Sequence, residues 1–256
     1  MASQSIVAFN TIFLREVIRF TRIWSQTILP PVITMFLYFV IFGHLIGPRI
    51  GLMLNVPYNE YIAPGLVMLA VISSAYANVS SSLFSSRFQR NLEEVLVSPT
   101  SNSVMIWGFV LGGVVRGMCV GLAVTVISSV FIGFHFEHWG VMILVMFLCS
   151  ALFSLMGFTN GIFAKTFDDI MIIPSFVLTP LTYLGGVFYS IHLLSPFWAT
   201  VSLFNPVLHI VNAFRFAWLG VSDIPIFTAI AMMTTVTIGL YLLNLWLLNR
   251  GTRIKS

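Results

Sequence analysis

Residues 87–99, with the sequence RFQRNLEEVLVSP, combine charged and apolar side chains at helical spacing. Arg90 lies three and four positions before Glu93 and Glu94, within ion-pair reach on a helix, and Arg87 extends the charged surface. The other side of the helix collects Phe88, Leu92, Val95 and Leu96. Such a helix suits docking onto another protein, since apolar residues pack and charges select the partner. A solvated turn is the alternative, and amphipathicity alone does not decide between them.

The sequence lacks the motifs that would give the chain enzymatic chemistry of its own. It has no GxxxxGK(S/T) phosphate loop, and its two lysines, Lys165 and Lys255, lie in other contexts. It also has no HExxH or paired-cysteine metal pattern and no GxSxG nucleophile motif. Cys119 and Cys149 lie inside apolar runs, as small core residues do. We therefore expect a chain that is not an enzyme, does not hydrolyse ATP and binds no metal.

The composition predicts an integral helical membrane protein. The chain is 58% hydrophobic and 8% charged, with a mean hydropathy of +0.99, whereas soluble domains are about 25% charged. The net charge of +4 is interpreted as basic residues held at the cytoplasmic face, and no nucleic-acid partner is expected. The first residues, MASQSIVAFN, lack a basic region, so no cleavable signal peptide is expected.

Six apolar segments are long enough to cross a bilayer, which takes about 20 residues each. The predicted spans cover residues 23–47, 60–86, 104–132, 139–164, 170–190 and 224–249. Before them, residues 5–22 place Arg15, Arg19 and Arg22 on one face, which predicts an amphipathic helix in the membrane interface. A plain basic flank beside the first span is the alternative.

Residues 193–220 are apolar but are interrupted by Pro196, by Asn205 and Pro206, and by Arg215. We predict two short re-entrant helices that dip into the outer leaflet, where irregular backbone has to be covered by protein or line a cavity. A seventh full span is the alternative. Six spans with both termini in the cytoplasm place nine basic residues inside and two outside, in agreement with the positive-inside rule.

Arg116 interrupts the third predicted span about 12 residues after its start, roughly 18 Å into the membrane. An ionisable side chain at that depth is a candidate functional residue, here for an anionic head group in a translocation path. An internal partner such as Asn78 or a backbone carbonyl, or snorkelling, is the alternative. Tyr76, Phe176 and Tyr183 are further candidates for the path, with ordinary packing as the alternative for each.

Taken together, these segments resemble the permease subunits of ABC-2 type exporters. The resemblance runs through nearly the whole chain and rests on RFQRNLEEVLVSP, on FAKTFDDI at 163–170, PLTYLGGVFYS at 180–190, PPVITM at 30–35 and Pro64-Gly65. It implies one transmembrane domain over residues 1–256, all-α with six spans. It also implies a homodimer in the bacterial inner membrane that works with two copies of a separate ATP-binding cassette ATPase.

The resemblance further implies that residues 87–98 form a coupling helix seated in a cleft of the ATPase, beside the N-terminal helix. Its contact residues would be Arg87, Phe88, Arg90, Asn91, Leu92, Glu93 and Glu94. ATP and Mg would be used by the partner subunit, with no cofactor bound by this chain, to export an amphiphilic, lipid-like, glycolipid or drug substrate. A stand-alone channel or secondary carrier, and a membrane enzyme, are the alternatives. The sequence shows neither the embedded acids nor the catalytic cluster that these would need.

Overall fold

Helices make up most of the residues that the computed structural model describes, which are 2–89, 100–134 and 136–251. Within these ranges the helices are α1 (Ala2–Arg22), α2 (Trp24–Tyr38), α3 (Gly47–Ile50), α4 (Tyr58–Phe88), α5 (Asn102–Ile132), α6 (Trp139–Phe163), α7 (Phe167–Ile173), α8 (Thr179–Tyr183), α9 (Pro196–Leu203), α10 (Pro206–Leu219) and α11 (Ile226–Asn249). π-helical turns join α2 to α3 and α7 to α8; they are Phe39–Ile46 and Pro174–Leu178. A short antiparallel hairpin, Leu52–Met53 with Val56–Pro57, joins α3 to α4, and a 3-10 turn covers Ile191–Leu193.

Five helices in the described ranges are long and apolar enough to cross a membrane. They are Trp24–Gly43, Tyr58–Phe88, Asn102–Ile132, Trp139–Phe163 and Ile226–Asn249. The pair α9 and α10 would add a sixth if it formed one broken span. The prediction of an all-α, multi-pass membrane protein is confirmed.

Helix α4 lies at the centre of the molecule, and 83% of its apolar window is buried. It packs along α5 and α6, and small residues allow these helices to approach closely. A Cβ at Gly157 of α6 would lie 2.5 Å from the backbone oxygen of Tyr76, and one at Gly113 of α5 would lie 2.6 Å from Cγ2 of Val79. The close packing of the three central helices therefore depends on these glycines.

The predicted N-terminal helix is present and begins earlier than expected, at Ala2 rather than residue 5. One side of α1 packs on α5, where Ile12, Glu16 and Phe20 are buried. A Cβ at Gly108 of α5 would lie 2.7 Å from Ile12 Cγ2, so glycine makes room for α1. The helix is thus an integral part of the bundle, and its position at a membrane interface stays a prediction.

The segment predicted as the fifth span is helical over a different range, from Phe167 to Tyr183 rather than over 170–190. It is divided into α7, a π-helical turn that begins at Pro174, and α8. Proline has no backbone N–H, which interrupts the regular helical hydrogen bonds. After Tyr183 the chain turns through Gly186, whose φ of 64° lies in the left-handed region that glycine adopts readily.

Residues 193–220 form two short helices, α9 and α10, that meet at 85°. Asn205 fixes the corner: its Oδ1 accepts a hydrogen bond from Val207 N (2.9 Å), and its Nδ2 donates to Leu181 O (2.6 Å). Asn-Pro thus ends one helix and begins the next, since Asn caps well and Pro suits the first helical turn. The two predicted helices are present, and their re-entry into the outer leaflet stays a prediction.

The predicted coupling helix falls mostly outside the described residues. Arg87 and Phe88 form the last turn of α4, whereas Arg90, Asn91, Leu92, Glu93 and Glu94 lie in the range 90–99 that the structure does not describe.

Replacing Gly157 with alanine should destabilise the bundle by about 1–3 kcal/mol, because the new Cβ would overlap the backbone of α4. Gly239→Ala is the matched control, since nothing lies within 4 Å of a Cβ at that mid-helix position. Reversible unfolding in mixed detergent micelles measures both variants. Equal stability of the two would contradict the close packing described for α4 and α6.

Candidate functional site

A buried carboxylate joins α1 to α4 near the predicted interface. The side chain of Glu16 is fully buried, and its Oε1 accepts a hydrogen bond from Ser82 Oγ (2.6 Å). Arg19 Nη2 lies 3.0 Å from Glu16 Oε2, and Arg15 Nη2 lies 3.6 Å from Oε1. The three arginines were predicted from their spacing, whereas Glu16 was not; its signal in the sequence is an acid at the centre of a basic helical face.

Arg116 has an internal partner, which is one of the alternatives that the sequence left open. Its Nη1 donates to Asn78 Oδ1 at 3.4 Å. Arg19 Nη2 donates to the same oxygen and to the Asn78 backbone oxygen, both at 2.9 Å. Asn78 therefore links α1, α4 and α5 by accepting hydrogen bonds from two guanidinium groups in the interior. A role of Arg116 toward a substrate stays a prediction.

The four candidate path residues do not share one surface. Tyr76 is buried, and its hydroxyl accepts a hydrogen bond from Asn160 Nδ2 at 2.5 Å, which joins α4 to α6. Phe176 and Tyr183 are 77% and 63% exposed on the segment 167–183. Tyr76 therefore has a partner within the chain and also borders a cavity between α4 and the segment 167–183, and its role in a path stays a prediction.

The accessible face of α4 is a narrow stripe at a spacing of four residues. Between the first turn of α4 and residue 85, it consists of Leu69, Ser73, Ala77, Ser81 and Ser85, and the rest of this part of the helix is buried. Part of the stripe borders a cavity of about 220 Å³, whose opposite wall is the segment 167–183. Thr179 and Thr182 contribute to that wall. This surface offers small hydroxyl groups beside apolar ones, a feature that the sequence reading missed.

Arg87 anchors the end of α4 to the end of α6. Its Nη1 donates to the backbone oxygens of Gly161 (2.8 Å), Ile162 (2.6 Å) and Ala164 (3.2 Å). These carbonyls lie at the C-terminus of α6, where a cation is favoured by the helix dipole and by the unpaired oxygens. The structure thus gives this predicted coupling residue a clear role inside the chain, while its contact with a partner stays a prediction.

Aromatic contacts add the start of α7 to the junction between the ends of α4 and α6. The centroid of Phe84 lies 4.7 Å from that of Phe167, and Phe88 lies 5.8 Å from Phe167. Phe88 is 69% exposed. The ends of α4 and α6 and the start of α7 therefore form one unit, termed here the α4 anchor.

The motif FAKTFDDI contains the N-terminal cap of α7. The backbone N–H groups of Lys165 (2.8 Å) and Thr166 (3.1 Å) donate to Asp169 Oδ2, and Thr166 Oγ1 accepts from Asp169 N (3.2 Å). This reciprocal arrangement is a capping box. The hydrogen bonds from the Lys165 and Thr166 backbones lower the pKa of the Asp169 carboxyl.

A second buried charge pair lies near the opposite end of α4. Arg215 is fully buried in α10, and its guanidinium carbon lies 3.8 Å from the ring centroid of Tyr61. Its Nη2 donates to Gly186 O at 2.7 Å, and its Nη1 lies 3.9 Å from Asp223 Oδ2. Asp223 Oδ1 accepts from Ser190 Oγ at 2.7 Å. The arginine thus ties α10 to α4 and to the turn at Gly186.

Sequence reasoning placed Arg215 among the outer charges and gave it no partner. Asp223 lies eight residues later, beyond the end of α10, so helical spacing could not pair the two. The sequence did contain one signal for this ion pair, since Arg215 and Asp223 are an arginine and an aspartate in an otherwise uncharged stretch. Among the described residues, no group of three His, Cys, Asp or Glu side chains could hold a metal ion.

Arg215→Gln should destabilise the protein by about 3–5 kcal/mol, because Asp223 would lose its buried cationic partner. Unfolding in mixed detergent micelles measures this change. Arg49→Gln, which removes the same charge from an exposed position, is the control and should leave the unfolding free energy nearly unchanged. Similar losses in both variants would show that the charge pair has no special structural role.

The cap of α7 should weaken in acid. Because the folded-state pKa of Asp169 is lowered, its stabilisation is present above the unfolded-state pKa and is lost as the pH falls through the folded-state value. Hydrogen-exchange protection of the Lys165 and Thr166 amides should therefore fall with pH in the wild type and show little pH dependence in Asp169→Asn. Asp168→Asn should retain the wild-type profile, and a loss of the profile in that control would argue against the cap.

Comparison with known proteins agrees with this architecture. The sequence model described as ABC-2 type transporter matches residues 7–219. The chain is 51% identical over 250 residues to the inner membrane transport permease YadH of Escherichia coli (strain K12), covering 98% of each chain. It is 23% identical over 188 residues to nodulation protein J of Neorhizobium galegae, covering 70% of each chain. From this match over most of its length, the chain belongs to the ABC-2 type transporter family.

Proposed function

We propose that this chain is the transmembrane permease subunit of an ATP-binding cassette exporter. It forms the translocation path and couples it to ATP hydrolysis by a separate ATPase subunit. Two copies of the chain pair with two copies of the ATPase in the bacterial inner membrane, with both termini in the cytoplasm. ATP and Mg are used by the ATPase, and this chain binds no cofactor of its own. Membership of the family and the identity to an inner membrane permease support the proposal.

The observation that carries the coupling role is the α4 anchor. A coupling segment has to pass a displacement on to several spans, and α4 leads directly into residues 90–99. At that point Arg87 holds the C-terminal carbonyls of α6, and Phe84 contacts Phe167 at the start of α7. A displacement of residues 87–98 is therefore transmitted to α4, α6 and α7 together. Glu93 and Glu94 with Arg90 provide the charges that select the ATPase cleft.

The accessible stripe of α4 and the facing segment 167–183 form the wall of the proposed path. Ser73 and Ala77 on one side and Thr179 and Thr182 on the other border the same cavity. The mixture of hydroxyl and apolar groups suits an amphiphile, such as a lipid-like, glycolipid or drug molecule. A second copy of the chain would close the path by covering the open side of the stripe.

The coupling role is tested with Glu93→Lys combined with Glu94→Lys in the complex with the ATPase. Reversing two charges at the docking surface should lower ATP turnover or complex formation by about tenfold or more. ATP turnover in lipid nanodiscs and co-purification provide the measurements. The matched control is Glu60→Lys combined with Glu137→Lys, which reverses two acids at the other ends of α4 and α6.

A complex that tolerates the reversal as well as the control does would remove the coupling role from residues 87–98. Movement of amphiphiles by the chain alone, without ATP or an ATPase, would favour the second reading, a stand-alone channel or secondary carrier.

The path is tested by single cysteines at Ser73 and Thr182 in a background where Cys119 and Cys149 are replaced by alanine. Labelling by a membrane-impermeant thiol reagent should change about fivefold between the nucleotide-free and ATP-trapped complex, because alternating access opens and closes the wall. Ile238→Cys on the exposed side of α11 is the control. An unchanged labelling rate at Ser73 and Thr182 would place the path elsewhere.

A further inference from the structure

A cavity of about 840 Å³ lies between α1 and the last turns of α4, and it shares no lining residue with the cavity of about 220 Å³. Three bases contribute to its wall, Arg15, Arg19 and Arg22, and one acid, Glu16. Hydroxyl groups of α4, including Ser85 and Ser86, complete the polar part of the lining. The three positive charges face one negative charge, which leaves an excess of two in the wall.

Among the residues that the structure describes, Glu16 is the only acid that lines this cavity. Glu16 already lies 3.0 Å from Arg19 and 3.6 Å from Arg15, and its other oxygen contact is the Ser82 hydroxyl. The next charged side chain inward is another base, Arg116, which meets Arg19 at Asn78. The Nε atoms of Arg19 and Arg116 are buried without a hydrogen-bond partner among the described residues. Charges in apolar surroundings are costly unless paired, so the cavity favours an external anion.

The anion has apolar surface beside it. Leu14 and Ile18 also line the cavity and are 53% and 56% exposed. On α1 the row formed by Leu14 and Ile18 runs next to the row formed by Arg15 and Arg22, as helical spacing requires. A ligand that fits both rows has a negatively charged head and a hydrocarbon part.

We propose that this cavity, termed here the α1 cavity, binds the phosphate of an anionic phospholipid. Arg15 and Arg22 hold the phosphate oxygens by charge-assisted hydrogen bonds, and the α4 hydroxyls donate further ones. Glu16 and Asn78 keep Arg19 in place, and Leu14 and Ile18 contact the start of an acyl chain. The site does not depend on the proposed transport, although Ser85 also belongs to the accessible stripe of α4.

Lipid binding to the purified full-length chain tests this site by native mass spectrometry. Phosphatidylglycerol should bind about tenfold more tightly than phosphatidylcholine, which has a phosphate but no net charge. Arg15→Gln combined with Arg22→Gln should reduce that preference to less than about twofold. Both arginines lie on the exposed edge of α1, so the buried Glu16 contacts with Arg19 and Ser82 remain, and an unfolding scan in phosphatidylcholine verifies the fold.

The control is Arg49→Gln combined with Arg250→Gln, which removes two positive charges from other exposed positions and should keep the tenfold preference. Loss of the preference for phosphatidylglycerol in both double variants would show that it depends only on the overall charge of the protein, and would overturn the site. Retention of the preference in Arg15→Gln/Arg22→Gln would overturn it as well. Displacement of phosphatidylglycerol by millimolar inorganic phosphate would show a site for free anions and overturn the assignment to a lipid.

Discussion

A polar group inside a membrane has no water to bond, so it has to find its partner within the protein or in a bound molecule. In this chain that constraint decides which helices are held together. Glu16 and Asn78 join α1 to the central helices, and Arg215 joins α10 to α4. Arg87 joins α4 to α6. Apolar packing alone drives association weakly between helices in lipid, and these polar contacts give the bundle its specific arrangement.

Helix α4 takes part in each of these contacts and in the proposed path. Tyr61 near its start meets Arg215, Asn78 and Ser82 receive α1, and Arg87 at its end holds α6. Tyr61 and Asn78 are 17 residues apart, about 25 Å along a helix. One continuous helix therefore connects the contact with Arg215 to the contacts with α1. This geometry connects the proposed coupling segment, which follows α4, with the turn at Gly186 near the start of α4.

The residues that stand out in the sequence differ from those that the structure leaves accessible on α4. Tyr76 and Arg116 are polar or aromatic side chains within spans, as path residues often are, yet both have partners inside the chain. Ser73 and Ala77 carry no conspicuous chemistry, yet they lie on the accessible face of α4. Tyr76 also borders the cavity that Ser73 and Ala77 line, so a partner inside the chain does not exclude a residue from the proposed path.

The sequence by itself determined the helical membrane class, most span positions, the amphipathic α1 and the corner between α9 and α10. Those features follow from local properties: apolar run length, helical spacing, and the backbone limits of proline and asparagine. Only the tertiary structure decided the partners of Arg87, Arg116 and Arg215, because each contact joins residues that lie on different helices. The local sequence pattern also could not predict that the helical segment ends at Tyr183. The turn that follows, at Gly186, is held by Arg215 from another helix.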